Sequence, residues 1–459
     1  MKIDRNISPQ DIAGLLGKFW EISGHKIKSI SETFDSSKGS PVFTVEGRYV
    51  TRGWTEWTMG FHFGSSILNY EAGGEPGFLE LGRQGTVTKM PVNISHTGVH
   101  DHGFNNLSTF GNLLRLMNEG IIPENEWERN YYEIALKLSG AVQASRWTQL
   151  GTGGYIYSFN GPHSLFIDTL RSVRILMVSH LLGHDLMGED DRRIDLLDRA
   201  CEHLKTTAHY SVYYGKNRDH YDTPGRTVHE CIFNVLNGSF RSPSSQQGYS
   251  GRTTWFRGLS WAMLGFTEEL ELINDLIGKK IKTHADLNEV RTILLTAARV
   301  TCDFYIENSA LDGIPYWDSG APGLKFIEDF RECPADPFNE FEPVDSSAAV
   351  IAAQALLRLG KYFEKSGEPE KSSRYFQAGL TVFRTLLAEP YLSEDLQHQG
   401  LILHSLYHRP NDWDYKPEKN KVPYGESSMW GDYHARELAV YVGKLINHEK
   451  YYTFYNCVK

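Results

Sequence analysis

Ala348-Ala-Val-Ile-Ala-Ala-Gln-Ala-Leu-Leu357 is the stretch on which the fold turns. A helix made of it has no face to show to water, so it reads as buried nearly all round. Val344-Asp-Ser-Ser347 opens it, and Ser366-Gly-Glu-Pro369 follows it, with the proline well placed as the first residue of a second helix. That second helix, Pro369 to Leu387, mixes apolar with charged positions and suits an outer layer. One buried helix and one amphipathic helix make a hairpin of an inner and an outer element.

The same order recurs along the chain. Polar, Gly- and aromatic-rich openings precede apolar helices at Trp54-Thr-Glu-Trp57-Thr-Met-Gly60, His100-Asp-His-Gly-Phe104, Phe166-Ile-Asp-Thr-Leu170, Thr254-Trp-Phe-Arg-Gly-Leu-Ser-Trp261 and Met429-Trp-Gly-Asp-Tyr433. Amphipathic segments such as Glu289 to Ile306 fall between them. Strand signals are few: Tyr210 to Tyr214 and His229 to Val235 are expected to form at most a short hairpin. Six buried helices paired with amphipathic ones predict an all-α (α/α)6 barrel, a six-hairpin toroid. The expectation is one catalytic domain over residues 1–459, with residues 1–50 an N-terminal extension completing the barrel. In–out alternation makes the inner helices parallel, so the six openings gather around one mouth. Their N-termini point positive partial charge into it, which favours an anionic ligand.

Bulk composition agrees with this. Apolar residues make up 40% of the 459 and aromatic residues 12%, with 10 Trp and 24 Tyr, enough for a large core and for surfaces that stack on sugar rings. A net charge of −10 argues against nucleic acid but leaves room for a single anionic sugar. Five scattered cysteines without a C-x-x-C pair point away from a disulfide framework or structural zinc. Without a leader-like start or an 18-residue apolar run, the expectation is a cytoplasmic protein with no membrane partner, in which sequons at Asn93, Asn106 and Asn237 carry no meaning.

Asp168 draws attention because it sits among Phe166, Ile167 and Leu170, where desolvation would raise its pKa and let it donate a proton near neutrality. The competing reading is a helix N-cap. Asp101 is the second carboxylate, and two acids facing one another would have their pKa values pushed apart. His96, His100 and His102 resemble metal ligands, yet no H-E-x-x-H pattern is present, so no metal is expected. Trp255 and Trp261 offer faces to a sugar ring, and Arg257 could pair with a carboxylate or sulfate. His229 reads as a polar contact or a satisfied loop histidine. Asp345 and Asp432 read as N-caps of inner helices.

Taken in order, these blocks resemble the unsaturated glucuronyl hydrolases of glycoside hydrolase family 88. His100-Asp-His-Gly-Phe104, Ile167-Asp-Thr-Leu170, Gln247-Gly-Tyr-Ser250 with Trp255-x-Arg-Gly-x-x-Trp261, Asp312-Gly-Ile-Pro-Tyr-Trp-Asp318, Asp345-Ser-Ser-Ala-Ala349, Leu403-His404 and Trp430-Gly-Asp-Tyr433 carry the resemblance, from about Trp54 onward. It implies an (α/α)6 barrel with no metal or organic cofactor, acting on 4,5-unsaturated uronic acids at the non-reducing end of lyase products. Asp168 would match the general acid/base and Asp101 its partner. His100, His229, Gln247, Trp255, Arg257, Trp261 and Trp57 would line the sugar site. The implied reaction is hydration of a vinyl ether: Asp168 protonates C4, water adds at C5, and the hemiketal opens and expels the aglycone.

The chain departs from the family pattern at Val99, at Leu259-Ser260 and at Leu170-Arg171-Ser172-Val173-Arg174. Arg171 and Arg174, beside the expected acid, could hold a further anionic group, lower the acid's pKa, or face outward as surface residues; Arg171 joins the substrate-binding candidates. Alternatives within the barrel are a hydrolase of unsaturated rhamnogalacturonan products or of a saturated glucuronide. A sugar epimerase or isomerase would need paired bases, for which His100, His102 and His229 are candidates. A non-catalytic carbohydrate-binding role is less attractive, given paired acids at the mouth.

Overall fold

The computed structural model describes residues 1–53, 56–281, 283–417 and 420–459, so the Trp54-Thr55 start of the first opening lies outside the described residues. Twelve principal helices alternate between an outer and an inner ring. We number them α1 (Gln10–Thr33), α2 (Met59–Gly73), α3 (Pro76–Lys89), α4 (102–118), α5 (Glu126–Ser145), α6 (169–181), α7 (Leu196–Ser211), α8 (Phe256–Gly278), α9 (Leu287–Asn308), α10 (Ser346–Lys365), α11 (Pro369–Leu386) and α12 (Met429–Ile446). Each even-numbered helix packs on the next, and α12 packs back on α2, which closes the inner ring. The odd-numbered helices lie outside. This is the expected (α/α)6 architecture.

Burial follows from the residue pattern. In α10 every residue from Ser346 to Gly360 is buried, and in α12 every residue from Met429 to Val442. The outer α5 buries only a stripe, Tyr132, Ala135, Leu136, Ser139, Gly140, Gln143 and Ala144, at the spacing of one helical face. Side-chain caps start several helices: Asn125 for α5, Asp195 for α7, Asp286 for α9 and Ser428 for α12. Asp345 caps α10 through Ser347 N and Ala348 N, as expected. Asp432 does not cap α12; it sits in the first turn and accepts from Leu401 N, Ile402 N, Tyr49 Oη and Ser427 Oγ.

The lumen below the mouth is charged rather than uniformly apolar. Arg171 donates to Glu268 and Glu437, Arg174 pairs with Glu268, and Arg358 pairs with Glu271, all of them buried. Tyr452 O accepts from Arg358, and Tyr451 and Tyr455 hydroxyls donate to Glu271 and Asp275, so residues 451–455 form the floor beneath this lattice. Breaking one member of such a group costs about 3–5 kcal/mol, because a buried charge is left uncompensated.

The hairpin expectation needs correction. Glu230–Phe233 pairs with Phe240–Ser244 on one side and with Ser164–Phe166 on the other, making a three-stranded antiparallel sheet. Tyr210 belongs to α7, and Val212 contributes one bridge to Thr227. Among the described residues, no helix is long and apolar enough to cross a membrane.

Candidate active site

The openings of α2, α4, α6 and α8 meet at one cavity. Trp57 precedes α2, His100 and Asp101 precede α4, Asp168 precedes α6, and Gln247 and Trp255 precede α8; all line it, with Arg257, Phe104 and Trp261 from within the helices. The sheet aims one of the acids. Ile167 N donates to His229 O at 2.9 Å, continuing the strand pairing and holding Asp168 against the His229 segment.

Asp168 and Asp101 both occupy N-cap positions, yet neither makes a side-chain capping hydrogen bond. Their carboxylates turn instead toward one imidazole: His100 Nε2 lies 3.4 Å from Asp168 Oδ1 and 3.7 Å from Asp101 Oδ1. The His100 ring is buried against Phe159 and Phe166. Burial lowers its pKa, but the two carboxylates more than offset that and hold it above the ordinary histidine value. Asp168 departs from expectation. Burial pushes its pKa up as foreseen, but contact with His100 and the charges of His100 and His229 win, so it is held below the ordinary aspartate value.

Gly103 lets α4 and α6 approach. Its N–H donates to Ser172 Oγ at 3.1 Å, and a β-carbon there would lie 1.9 Å from Ser172 O. Ser172 Oγ in turn donates to His100 O at 2.6 Å, and Gln143 Nε2 donates to the same carbonyl at 2.8 Å. The backbone of His100 is therefore tied to α5 and α6 at once.

His229 is buried between Phe166 and Trp255. Its Nδ1 accepts from Gln246 N at 3.0 Å and Gln247 N at 3.3 Å, which places the proton of the neutral ring on Nε2. Burial lowers its pKa to about 4. The Nε2–H has no protein partner, which leaves it as a donor for a ligand.

Arg257 lines the cavity, but both of its Nη atoms are held by protein. Nη1 donates to Asp345 Oδ2 at 2.9 Å and to Leu406 O; Nη2 donates to Gln247 Oε1 at 2.7 Å and Tyr407 O at 2.6 Å. Its guanidinium lies between the Trp255 and Trp430 rings. It thus clamps α8, the α10 cap and the 406–407 backbone together, and carries Gln247 at the cavity wall. Trp57 stacks on Trp430 at 5.1 Å between centroids, and Trp261 packs on Phe104 at 4.9 Å.

Arg171 is not a cavity residue. Its guanidinium is buried below the mouth against Glu268, Glu437 and His434, which also excludes the outward-facing reading. Arg174 lies in the same lattice. His102 is turned away too, its nitrogens in contact with Ser139 Oγ and His96 O, and burial lowers its pKa to about 4. That removes it from the paired bases an epimerase would use. A His180–Asp185–Asp195 group lies at the far end of α6, where Asp185 is paired with Arg193.

Sequence reasoning missed one wall. Phe159, Gln246, Tyr407, His408, Asn411 and Trp413 all line the cavity. The half-buried Asp414 carboxylate accepts from Tyr407 N and His408 N and fixes this loop, and desolvation pushes its pKa up to about 6. The density of rings in Tyr407-His408 and Trp413 was the available signal. Asp318 supports the opposite wall by accepting from Tyr249 N at 2.8 Å, while His404 binds Gly425 N away from the cavity.

No family model matches the chain. It is similar to an unsaturated glucuronyl hydrolase of Formosa agariphila, 24% identical over 83% of this chain and 78% of that protein. An unsaturated glucuronyl hydrolase of a Bacillus species is also 24% identical, over 92% of this chain and 94% of that one. An unsaturated chondroitin disaccharide hydrolase of Streptococcus agalactiae is 22% identical over 84% and 81%. Among solved structures, an unsaturated glucuronyl hydrolase specific for heparin superposes with a TM-score of 0.70 at 18% identity, covering 95% of this chain and 98% of that one. The barrel and the resemblance read from the motifs are both borne out.

Proposed function

We infer that this chain, a relative of the unsaturated glucuronyl hydrolases, is a glycoside hydrolase that releases a 4,5-unsaturated uronic acid from the non-reducing end of lyase-generated oligosaccharides. The observation that carries the reading is a pair of carboxylates, Asp168 and Asp101, facing one imidazole inside an aromatic cavity at the barrel mouth. A terminal ring entering that cavity meets Trp57, Trp255 and Trp261 as stacking surfaces and the His229 Nε2–H as a donor. The rest of the saccharide leaves past the exposed Asn411 and the half-buried Trp413.

In this reading Asp168 delivers a proton to C4, and the C4=C5 π electrons form the new C–H bond. Oxocarbenium character develops at C5 and is stabilised by the ring oxygen. The Asp168 carboxylate then removes a proton from water as its oxygen adds to C5, and the hemiketal opens and expels the aglycone. Asp101 faces the same imidazole and orients His100. The whole chain acts as one catalytic unit, and the five free cysteines are in keeping with a cytoplasmic setting.

The test is ultraviolet absorbance of the conjugated double bond in unsaturated disaccharides from several polysaccharide lyases. Absorbance should fall with wild-type protein and persist with Asp168→Asn, whose rate should be about 10²–10⁴-fold lower. Unchanged absorbance across the panel, together with cleavage of a saturated glucuronide, would sink the reading.

A further inference from the structure

An acid that donates a proton must hold one when substrate arrives, and the empty site does not favour it on Asp168. The oxygen that would carry it, Oδ1, is buried, and His100 Nε2 lies 3.4 Å from it. We propose that His100 stores the catalytic proton in the empty enzyme and passes it from Nε2 to Asp168 Oδ1 when substrate fills the cavity. The proposal rests on the hydration reading above.

The geometry supports it in three ways. First, the backbone of His100 is fixed by Ser172 and Gln143 through its carbonyl, so the ring is held between the two carboxylates. Second, among the described residues neither ring nitrogen has a hydrogen-bond partner, and both carboxylates approach Nε2. Third, among the described residues the charges around the ring favour its protonation on balance. Asp101 on its own segment and Asp168 at the start of α6 favour the imidazolium. Arg146 at the end of α5 opposes it, while His102, His203 on α7 and His229 are themselves pushed down by burial and by the charge of His100, and stay neutral. The carboxylates prevail.

Transfer follows from solvent exclusion. An imidazolium–carboxylate pair is favoured while cavity water solvates the partly exposed side of the Asp168 carboxylate, and a neutral imidazole–carboxylic acid pair is favoured once a sugar ring displaces that water. The N–H bond at Nε2 breaks and the O–H bond at Oδ1 forms, with no net change of charge. A turn of the carboxyl about its Cβ–Cγ bond brings that proton from the buried side to the cavity, where Asp168 protonates C4 and then recovers a proton from the attacking water. After product leaves, water returns and the proton moves back to His100. His100 therefore acts through Asp168, as a positioning and proton-holding residue.

Two measurements test this. In His100→Gln the proton must sit on Asp168 without an imidazole to hold it. The alkaline limb of kcat/KM should therefore move down by one pH unit or more, with at least a tenfold loss at pH 7, partial recovery near pH 5, and KM changed less than about threefold. An unmoved alkaline limb, or a drop equal at every pH, would overturn the proposal. The second measurement needs no activity and no folded variant at position 100. Histidine NMR of the free wild-type protein should show His100 protonated at pH 6.5, and Asp168→Asn should lower its pKa. A neutral His100 at that pH in the wild type overturns the storage role, whereas failure of the absorbance assay with wild-type protein would instead overturn the hydration reading.

Discussion

Gly103 and Ser172 touch, with the Gly103 N–H on Ser172 Oγ at 3.1 Å and space for no β-carbon between them. The two residues join α4 to α6 one turn below Asp101 and Asp168. The separation of the two acids is thereby set by a contact neither of them makes.

Gly103→Ala should push α4 off α6. A β-carbon 1.9 Å from a backbone oxygen cannot be relieved by a side-chain turn, so the helices must shift. We expect about 1–3 kcal/mol of lost stability and a larger functional effect, on the order of 10²-fold in kcat, because reacting groups are displaced by about an ångström. Single-turnover kinetics alongside urea unfolding separate the two. Wild-type kcat in the variant would show that the contact does not govern the site.

Arg171→Met and Glu268→Gln should each destabilise the fold by about 3–5 kcal/mol while leaving KM within about twofold. Both residues lie in the lumen, so their partners are stranded but the cavity wall is untouched. Urea unfolding and KM on the same preparations check this. A tenfold rise in KM without a stability change would return Arg171 to the substrate site.

Trp413→Ala removes a half-buried ring from the rim of the cavity. Stacking there is worth about 0.5–1.5 kcal/mol. KM for a disaccharide should therefore rise roughly 2–12-fold, with kcat nearly unchanged. An equal loss in kcat would assign Trp413 to the reacting ring rather than to the leaving sugar.

The folded Asp414 carboxyl holds its proton up to about pH 6, against an ordinary value of 3.8, because desolvation of the half-buried group disfavours its charge. Between those values the folded chain binds more protons than the unfolded one, so this group's contribution to stability falls as pH rises, by about 2–3 kcal/mol in all. Asp414→Asn should flatten the stability profile over that window. Identical slopes in variant and wild type would show that Asp414 titrates normally.

The ring was legible because its inner helices are apolar all round, and Ala348 to Leu357 admits no other reading. Asp101, Asp168, Gln247 and Trp255 were legible because each stands in a polar opening, and parallel inner helices bring openings together. The loop from Tyr407 to Trp413 was not, because it reaches the mouth through Asp414 and the Arg257 clamp, contacts distant in sequence. Arg171 was misplaced for a similar reason. Its position near a helix start says nothing about which way that face turns, and its carboxylate partners come from α8 and α12. The proton affinity of Asp168 was read from its apolar neighbours in sequence, whereas His100 is a neighbour only in space.

The lattice in the lumen also bears on how the protein is made. Arg171 and Glu437 are 266 positions apart. At roughly 5–20 residues per second, the guanidinium emerges on the order of 10–50 s before its carboxylate. Closure of α12 onto α2 comes equally late. Until α12 has been made, the growing chain is therefore an open arc of hairpins whose interior arginines lack their last partners, and the barrel cannot close. Chaperone dependence should accordingly track the time between synthesis of α6 and α12.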